Sequence, residues 1–298
     1  MREITQQAQN NVKIVGKLMD VSFAEGTLKD GRAYERANMT IRVNQGWFDR
    51  EETSEVTVGM FATRYTSTNK VNPVWDQMQA LHGFKTYQNC GEGADTVRIS
   101  GCSLRENNFV SRSGQLINGY QLNASFVSNT TSAKDIASFE ADVFILDMHE
   151  ELDRNDEPTG RLVVRGGIVQ YGGKLDVLEF IAEDSNIIDL INRSWNVNDT
   201  VYLGGRIRVT SVEEKAVSSG DSWGEDLGGT TTKFVRELIL TSGKPAYEEE
   251  FAYAPADIKK AFNVRKAAIE QMQVDARAAK PAASAAKPAT TATKYDWE

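Results

Sequence analysis

The sequence has few of the side chains that build metal sites, disulfide frameworks and nucleophilic active sites. It contains only two cysteines, Cys90 and Cys102, and two histidines, His82 and His149. So few thiolate and imidazole ligands argue against both a disulfide framework and a zinc site. Neither a GxxxxGK[ST] phosphate loop nor an HExxH motif occurs. Since both histidines lie in or beside core-like segments, we expect no enzyme activity, no cofactor and no metal.

Long apolar runs are also missing. No stretch approaches the roughly 18 apolar residues that a membrane-spanning helix needs. The N-terminal stretch MREITQQAQNNVK lacks the apolar segment of a secretory signal. We therefore expect a cytoplasmic protein without a membrane partner.

Negative charge is concentrated in one part of the chain. The net charge is −8, which on its own argues against a polyanionic partner. Residues 1–131 carry a net charge of +1, residues 132–254 carry −12 and residues 255–298 carry +3. The first part of the chain can therefore present a basic face although the whole molecule is acidic.

Short segments of alternating polarity predict β-strands in both halves of the chain. In the first half, three strands precede a helix that has Asn72 as N-cap and Pro73 in its first turn, and two strands follow it. The second half repeats this order, with Ser185 capping the helix between its third and fourth strands. The predicted strands are 12–23, 34–44, 54–66, 95–108 and 116–128, then 141–149, 160–171, 174–182, 199–211 and 234–241.

Two sequence matches support an internal duplication. The triplet Asp95-Thr96-Val97 recurs as Asp199-Thr200-Val201, an offset of 104 residues, and each copy opens the fourth strand of its half. Gly31-Arg32 and Gly160-Arg161 likewise each open a second strand. A chance coincidence of the DTV triplets is the alternative.

The order of three strands, one helix and two strands is that of a five-stranded barrel of the OB type. We therefore predict a mainly β fold with two tandem OB-like barrels, a C-terminal helix and a disordered tail, and a β-sandwich is the alternative. The predicted domains are residues 1–131 and the acidic residues 132–254. A helix over 255–279 follows, and the Ala/Pro/Thr-rich residues 280–298 form the tail.

Binding of single-stranded nucleic acid needs cations that follow the phosphates and exposed aromatic rings that stack on bases. The first half supplies both, on its strands and in the loops that form the usual OB binding rim. The predicted contacts there are Lys13, Lys17, Arg32, Tyr34, Arg36, Arg42, Trp47, Phe48, Arg64, Tyr65, Arg105, Phe109, Arg112 and Tyr120. The second half has a thinner set in acidic surroundings: Arg161, Arg165, Tyr171, Lys174, Arg206, Arg208, Trp223 and Lys233. We therefore expect residues 1–131 to be the main binder and residues 132–254 an accessory one.

The tail ends in an aromatic and acidic tip, Tyr295-Asp296-Trp297-Glu298. Two rings and two acidic side chains, with the terminal carboxylate beside them, predict a peptide that docks onto a protein partner. An ordinary chain end is the alternative.

This architecture resembles phage-encoded single-stranded DNA-binding proteins with tandem OB-like folds and a disordered tail. The resemblance depends on the order of the elements, on NNFVSRSGQ at 107–115, and on the Pro/Ala tail with its tip. The tip departs from the bacterial pattern, which is more acidic and ends in an apolar pair, because here Trp297 is penultimate and Glu298 is last.

The resemblance implies sequence-tolerant binding of single-stranded DNA in replication, recombination and repair, within the host cytoplasm. It also implies that Tyr295–Glu298 recruits replication or recombination proteins, and it is compatible with a homo-oligomer. The sequence permits two other functions. One is a structural virion protein built of duplicated β domains, and the other is a carbohydrate-binding or carbohydrate-hydrolysing β module.

Overall fold

The strands form where side chains alternate between buried and exposed positions, as a sheet with one face in a core requires. A computed structural model describes residues 1–47, 50–111, 114–132, 134–215 and 230–278. The strands in these ranges are β1 Asn10–Thr27, β2 Ala33–Trp47, β3 Arg50–Thr63, β4 Thr96–Glu106, β5 Phe109–Val110, β6 Leu116–Ile117, β7 Tyr120–Ala124, β8 Phe126–Asn129, β9 Ile136–Leu152, β10 Pro158–Val169, β11 Leu175–Ala182, β12 Thr200–Lys215 and β13 Thr230–Gly243. The α-helices are α1 Pro73–Leu81, α2 Tyr87–Cys90, α3 Ser185–Ser194 and α4 Pro255–Ala278.

Strands from the first half close into a five-stranded barrel. β1 pairs antiparallel with β2 and with β4, and β2 pairs antiparallel with β3. β7 completes the circle, parallel to β3 and antiparallel to β4. With α1 between the third and fourth long strands, this is the arrangement of an OB-like barrel.

Strands from the second half repeat the same connections. β9 pairs antiparallel with β10 and with β12, β10 with β11, and β12 with β13, while β11 and β13 are parallel. The two DTV triplets occupy matching places, because Thr96 begins β4 and Thr200 begins β12. Gly31, in the connection between β1 and β2, and Gly160, near the start of β10, both have positive φ, 84° and 76°. The predicted mainly β, OB-like fold is confirmed.

The two barrels are joined by main-chain pairing between their first strands. β1 and β9 run antiparallel from Asn10 opposite Ala141 to Val15 opposite Ile136. This pairing makes a continuous sheet of eleven described strands. A hairpin of each barrel also contacts the third strand of the other barrel. Val209 donates its backbone N–H to the Ser54 hydroxyl, and Val177 donates its backbone N–H to the Glu106 carboxylate.

Helix capping follows the sequence in one half and departs from it in the other. Asn72 caps α1, and its side-chain oxygen accepts from the backbone N–H of Val74 at 3.1 Å. In the second half Asp184, not the predicted Ser185, caps α3, because its carboxylate accepts from the backbone N–H groups of Asn186 and Ile187. Ser185 is the first residue inside that helix.

None of the helices in the described ranges is both long and apolar enough to span a bilayer. The same ranges contain no cluster of three or more His, Cys, Asp or Glu side chains placed to bind a metal ion.

The two thiols lie in opposite environments, which predicts their reactivity. Cys102 is buried, and burial raises the pKa of its thiol to about 12, whereas Cys90 is exposed. The thiolate is the reactive form, so we expect a disulfide reagent at pH 8 to label one thiol per native chain and two after unfolding. The Cys90→Ser variant should show no rapid labelling when native. Rapid labelling of both thiols in the native protein would contradict the buried position of Cys102.

Candidate nucleic-acid interface

An open groove of about 640 Å³ crosses the outer face of the first barrel. Its volume lies within the range typical of ligand sites. Its walls come from β2, β3, β4 and β7, and they include the strand 2–3 face that OB-type barrels use for oligonucleotides. We call this site the first groove, and its lining includes Arg36, Asn38, Phe61, Ser103, Arg105 and Asn123.

Alternation along β2 and β3 turns polar and aromatic side chains into the first groove. The buried side chains on these two strands include Ala37, Met39, Val58 and Met60. Since successive side chains point to opposite faces of a strand, the residues between them face outward, namely Arg36, Asn38, Thr57 and Phe61.

A cation and two aromatic rings lie together beside the first groove, which Arg36 and Phe61 line. The Arg36 guanidinium lies 5.5 Å from the ring centroids of both Tyr34 and Phe61. The two rings are 5.3 Å apart, and Phe61 is 45% exposed. Among the described residues, no carboxylate forms an ion pair with Arg36. This set, which we call the Arg36 cluster, therefore offers an unneutralised cation beside an exposed ring.

The floor of the first groove carries uncharged hydrogen-bonding groups. Amides and hydroxyls of Asn38, Thr57, Ser103, Gln121 and Asn123 line it. Such groups can donate to and accept from bases, sugars and phosphates. The floor therefore suits a polar ligand.

Arg105, which also lines the first groove, contacts residues of the second barrel. Arg105 donates to the Gln170 side chain at 2.8 Å and lies 3.2 Å from the Asp176 carboxylate. Burial raises the pKa of Asp176 above its usual range although Arg105 opposes this. The Asp176 carboxylate thus partly neutralises the charge of Arg105, whereas Arg36 has no carboxylate partner among the described residues.

Comparison with protein-family models places the chain in one family. The YorF model matches residues 8–275. The chain belongs to the YorF family. A comparison with curated proteins found no match.

Among solved structures, the YorF-family chain is similar to the wild-type single-stranded DNA-binding protein from Thermus aquaticus. The TM-score is 0.50 at 11% identity, with 84% of this chain and 99% of that chain covered. A deletion mutant of the same Thermus aquaticus protein gives a TM-score of 0.49 at 12% identity, with 84% and 98% covered. The similarity to the wild-type structure shows a shared fold.

Three arginines predicted to contact DNA lie in an ion-pair network instead of a groove. Arg206 is 7% exposed and pairs with Glu52 and Glu183. Arg208 pairs with Glu183 and Glu237 at 2.8 and 2.7 Å, and Arg161 also pairs with Glu237. Although burial acts to raise it, hydrogen bonds from Arg161 and Arg208 hold the pKa of Glu237 below its usual range. The positive charges of these arginines therefore neutralise carboxylates within the YorF-family protein.

Four other predicted cations are paired on the surface of the first barrel. Lys13 pairs with Glu140 at 3.1 Å, and Arg32 pairs with Asp30 at 2.7 Å. Lys17 pairs with Glu92 and Arg42 with Glu55, and both cations lie over the Tyr87 ring. None of these four lines the first groove.

The remaining predicted residues are separate from the first groove or lie outside the described residues. Arg64 lies over the exposed ring of Tyr65, and Phe109, Tyr171 and Lys174 are exposed. Of the sequence-predicted set, Tyr34, Arg36, Arg105 and Tyr120 line or flank the first groove. Outside the described residues or side chains lie Trp47, Phe48, Arg112, Trp223, Lys233, the tip Tyr295, Asp296, Trp297 and Glu298, and the predicted tail 280–298.

The sequence prediction missed Phe61, Asn38 and Arg236, all of which line the first groove. Alternation could have found Phe61, because it sits between the apolar Met60 and Ala62 on a strand of regular polarity. The same signal applies to Asn38. Arg236 has no such signal, since it reaches the first groove from a strand of the other barrel.

Proposed function

We propose that this YorF-family protein binds single-stranded DNA with little sequence preference, in the first groove, without catalysis. The Arg36 cluster is the observation that carries the proposal. A guanidinium without a carboxylate partner can bind a phosphate, and the exposed ring of Phe61 can stack on the adjacent base. That a protein of the same fold from Thermus aquaticus is named as a single-stranded DNA-binding protein supports the proposal.

Stacking explains why the ligand would be single-stranded and its sequence unimportant. Every base has a flat face, so a ring such as Phe61 accepts any of the four, but only when the base is not paired in a duplex. The polar floor of the first groove would then bind sugars, phosphates and base edges. The pairing of Lys13, Lys17, Arg32 and Arg42 with carboxylates leaves the unneutralised charge of Arg36 to direct the strand.

We further propose that the protein protects unwound strands during DNA replication, recombination or repair, as a phage-type protein in the host cytoplasm. The Tyr295–Glu298 tip would recruit replication or recombination proteins. Support for this part comes from the sequence, because the two aromatic rings and two acidic side chains of Tyr295–Glu298 suit a basic pocket with apolar walls.

Binding to labelled oligo-dT, followed by fluorescence anisotropy over a range of salt concentrations, tests the proposal. We expect the logarithm of the binding constant to fall linearly with the logarithm of salt concentration, because bound phosphates release counterions. The Arg36→Ala variant should lower this slope by about one phosphate contact and weaken binding several-fold.

The matched control is Arg193→Ala, which removes the same charge from an exposed position on α3. It should bind as the wild type does. Absence of salt-sensitive binding at micromolar protein, or equal losses in Arg36→Ala and Arg193→Ala, would overturn the proposal.

A further inference from the structure

A smaller groove of about 160 Å³ lies on the outer face of the second barrel. Arg165 of β10 and Glu179 of β11 line it, and Arg265 of α4 contributes from the C-terminal helix. We call this site the second groove. It occupies the strand 2–3 face of its barrel, which corresponds to the position of the first groove.

The two grooves meet at two shared residues. Tyr120 of β7 and Arg236 of β13 line both of them. We call this pair the junction. The first groove on the first barrel and the second groove on the second barrel therefore border the same two side chains.

Arginines without carboxylate partners mark the first groove, the junction and the second groove in turn. In the described part of the chain, Arg36, Arg236 and Arg165 form no ion pair. The nearby acids are mostly neutralised, since Glu106 pairs with Arg265 and Glu237 pairs with Arg161 and Arg208. Glu179 lies opposite Arg165 on the neighbouring strand and offsets part of the charge there. Three cations thus remain along one surface.

The junction also holds a polar group without a partner. The Tyr120 hydroxyl is buried and forms no hydrogen bond with any of the described residues. Burial raises the pKa of Tyr120, so the hydroxyl keeps its proton and remains able to donate. A buried hydroxyl without a partner opposes folding, and a ligand entering the junction could supply the missing acceptor.

We propose that one DNA strand crosses from the first groove to the second through the junction, where Arg236 binds a phosphate between those bound by Arg36 and Arg165. This inference rests on the proposed function and adds to it the path of the strand. It gives the acidic second barrel a direct role in binding, and it makes α4 one wall of the path through Arg265.

Two oligonucleotide lengths separate this path from binding at the first barrel alone. An OB barrel covers about 4–16 nucleotides, so dT of about 8 nucleotides fits the first groove and dT of about 30 spans both. With the long oligonucleotide, Arg236→Ala and Arg165→Ala should each bind about 3- to 10-fold more weakly, with a salt slope lower by about one. With the short one, Arg165→Ala should bind within about twofold of wild type, whereas Arg36→Ala should weaken binding of both.

The outcomes distinguish this inference from the proposed function. If Arg165→Ala and Arg236→Ala bind the long oligonucleotide like Arg193→Ala while Arg36→Ala is weakened, the path across the junction is wrong and the proposed function survives. If the wild type binds neither length, both fail. Should Arg236→Ala fold poorly, Arg165→Ala still decides the matter, because its side chain lies on an outer strand face and contacts no ion-pair partner among the described residues.

Discussion

Replacing Arg206 with alanine is expected to lower the free energy of unfolding by about 3 kcal/mol, at the lower end of the cost of breaking a buried ion pair. Arg206 on β12 contacts Glu52 on β3 and Glu183 after β11, so it joins the two barrels. Its loss leaves Glu52 without its main partner in a site that water reaches poorly. Arg208, which also contacts Glu183, offsets part of the cost.

Thermal unfolding checks this prediction. A loss of about 3 kcal/mol in a protein of this size corresponds to a fall in Tm of about 5 °C. The exposed Arg193→Ala variant should change stability by less than about 0.5 kcal/mol. Arg206→Ala should also leave the salt slope of oligo-dT binding unchanged. Unaltered stability with weaker DNA binding would instead place Arg206 in the interface, as its sequence position suggested.

The contacts of Arg206 could not be predicted from the sequence pattern of its strand. The alternation of GRIRV correctly indicates a strand, and it shows that Arg206 and Arg208 share one face. The alternation cannot show which side chains of other elements cover that face. One covering carboxylate, Glu52, comes from the first barrel, 154 residues away, and the other, Glu183, follows β11 of the barrel that contains Arg206, 23 residues away.

The fold could be predicted from the sequence because its signals are local. Strand alternation, the Asn72 cap and the order of elements each depend on a few neighbouring residues, and each agrees with the structure. The offset of 104 residues between the DTV triplets agrees with their matching positions at the starts of β4 and β12. Barrel closure then follows from standard strand connections.

Only part of the site could be predicted from the sequence, since a groove depends on strands brought together from distant positions in the chain. Arg36 and Tyr34 were found because the alternating entry to β2 puts both on the outward face. Their aromatic partner Phe61 belongs to β3 and is placed by the register that sets it opposite Arg36. The register cannot be read from either strand alone.

Because the register places Phe61 opposite Arg36, we expect the loss of its ring to reduce DNA affinity more than the loss of any other side chain. A base stacked on an aromatic ring contributes about 1–3 kcal/mol, so Phe61→Ala should weaken oligo-dT binding roughly 5- to 150-fold. The loss should persist at high salt, because stacking involves no counterion release. Phe61→Trp should retain binding, whereas Phe61→Leu, which is apolar without a flat ring, should lose most of it. Equilibrium titration of the three variants at two salt concentrations measures this.

Phe251→Ala is the matched control, because Phe251 is also a largely exposed phenylalanine but does not line either groove. It should bind DNA as the wild type does. The salt dependence separates the two parts of the Arg36 cluster, since Arg36→Ala should change the slope and Phe61→Ala only the intercept. If Phe61→Leu binds as tightly as Phe61→Trp, the ring contributes apolar contact alone. Binding without sequence preference would then need another source than stacking at this position.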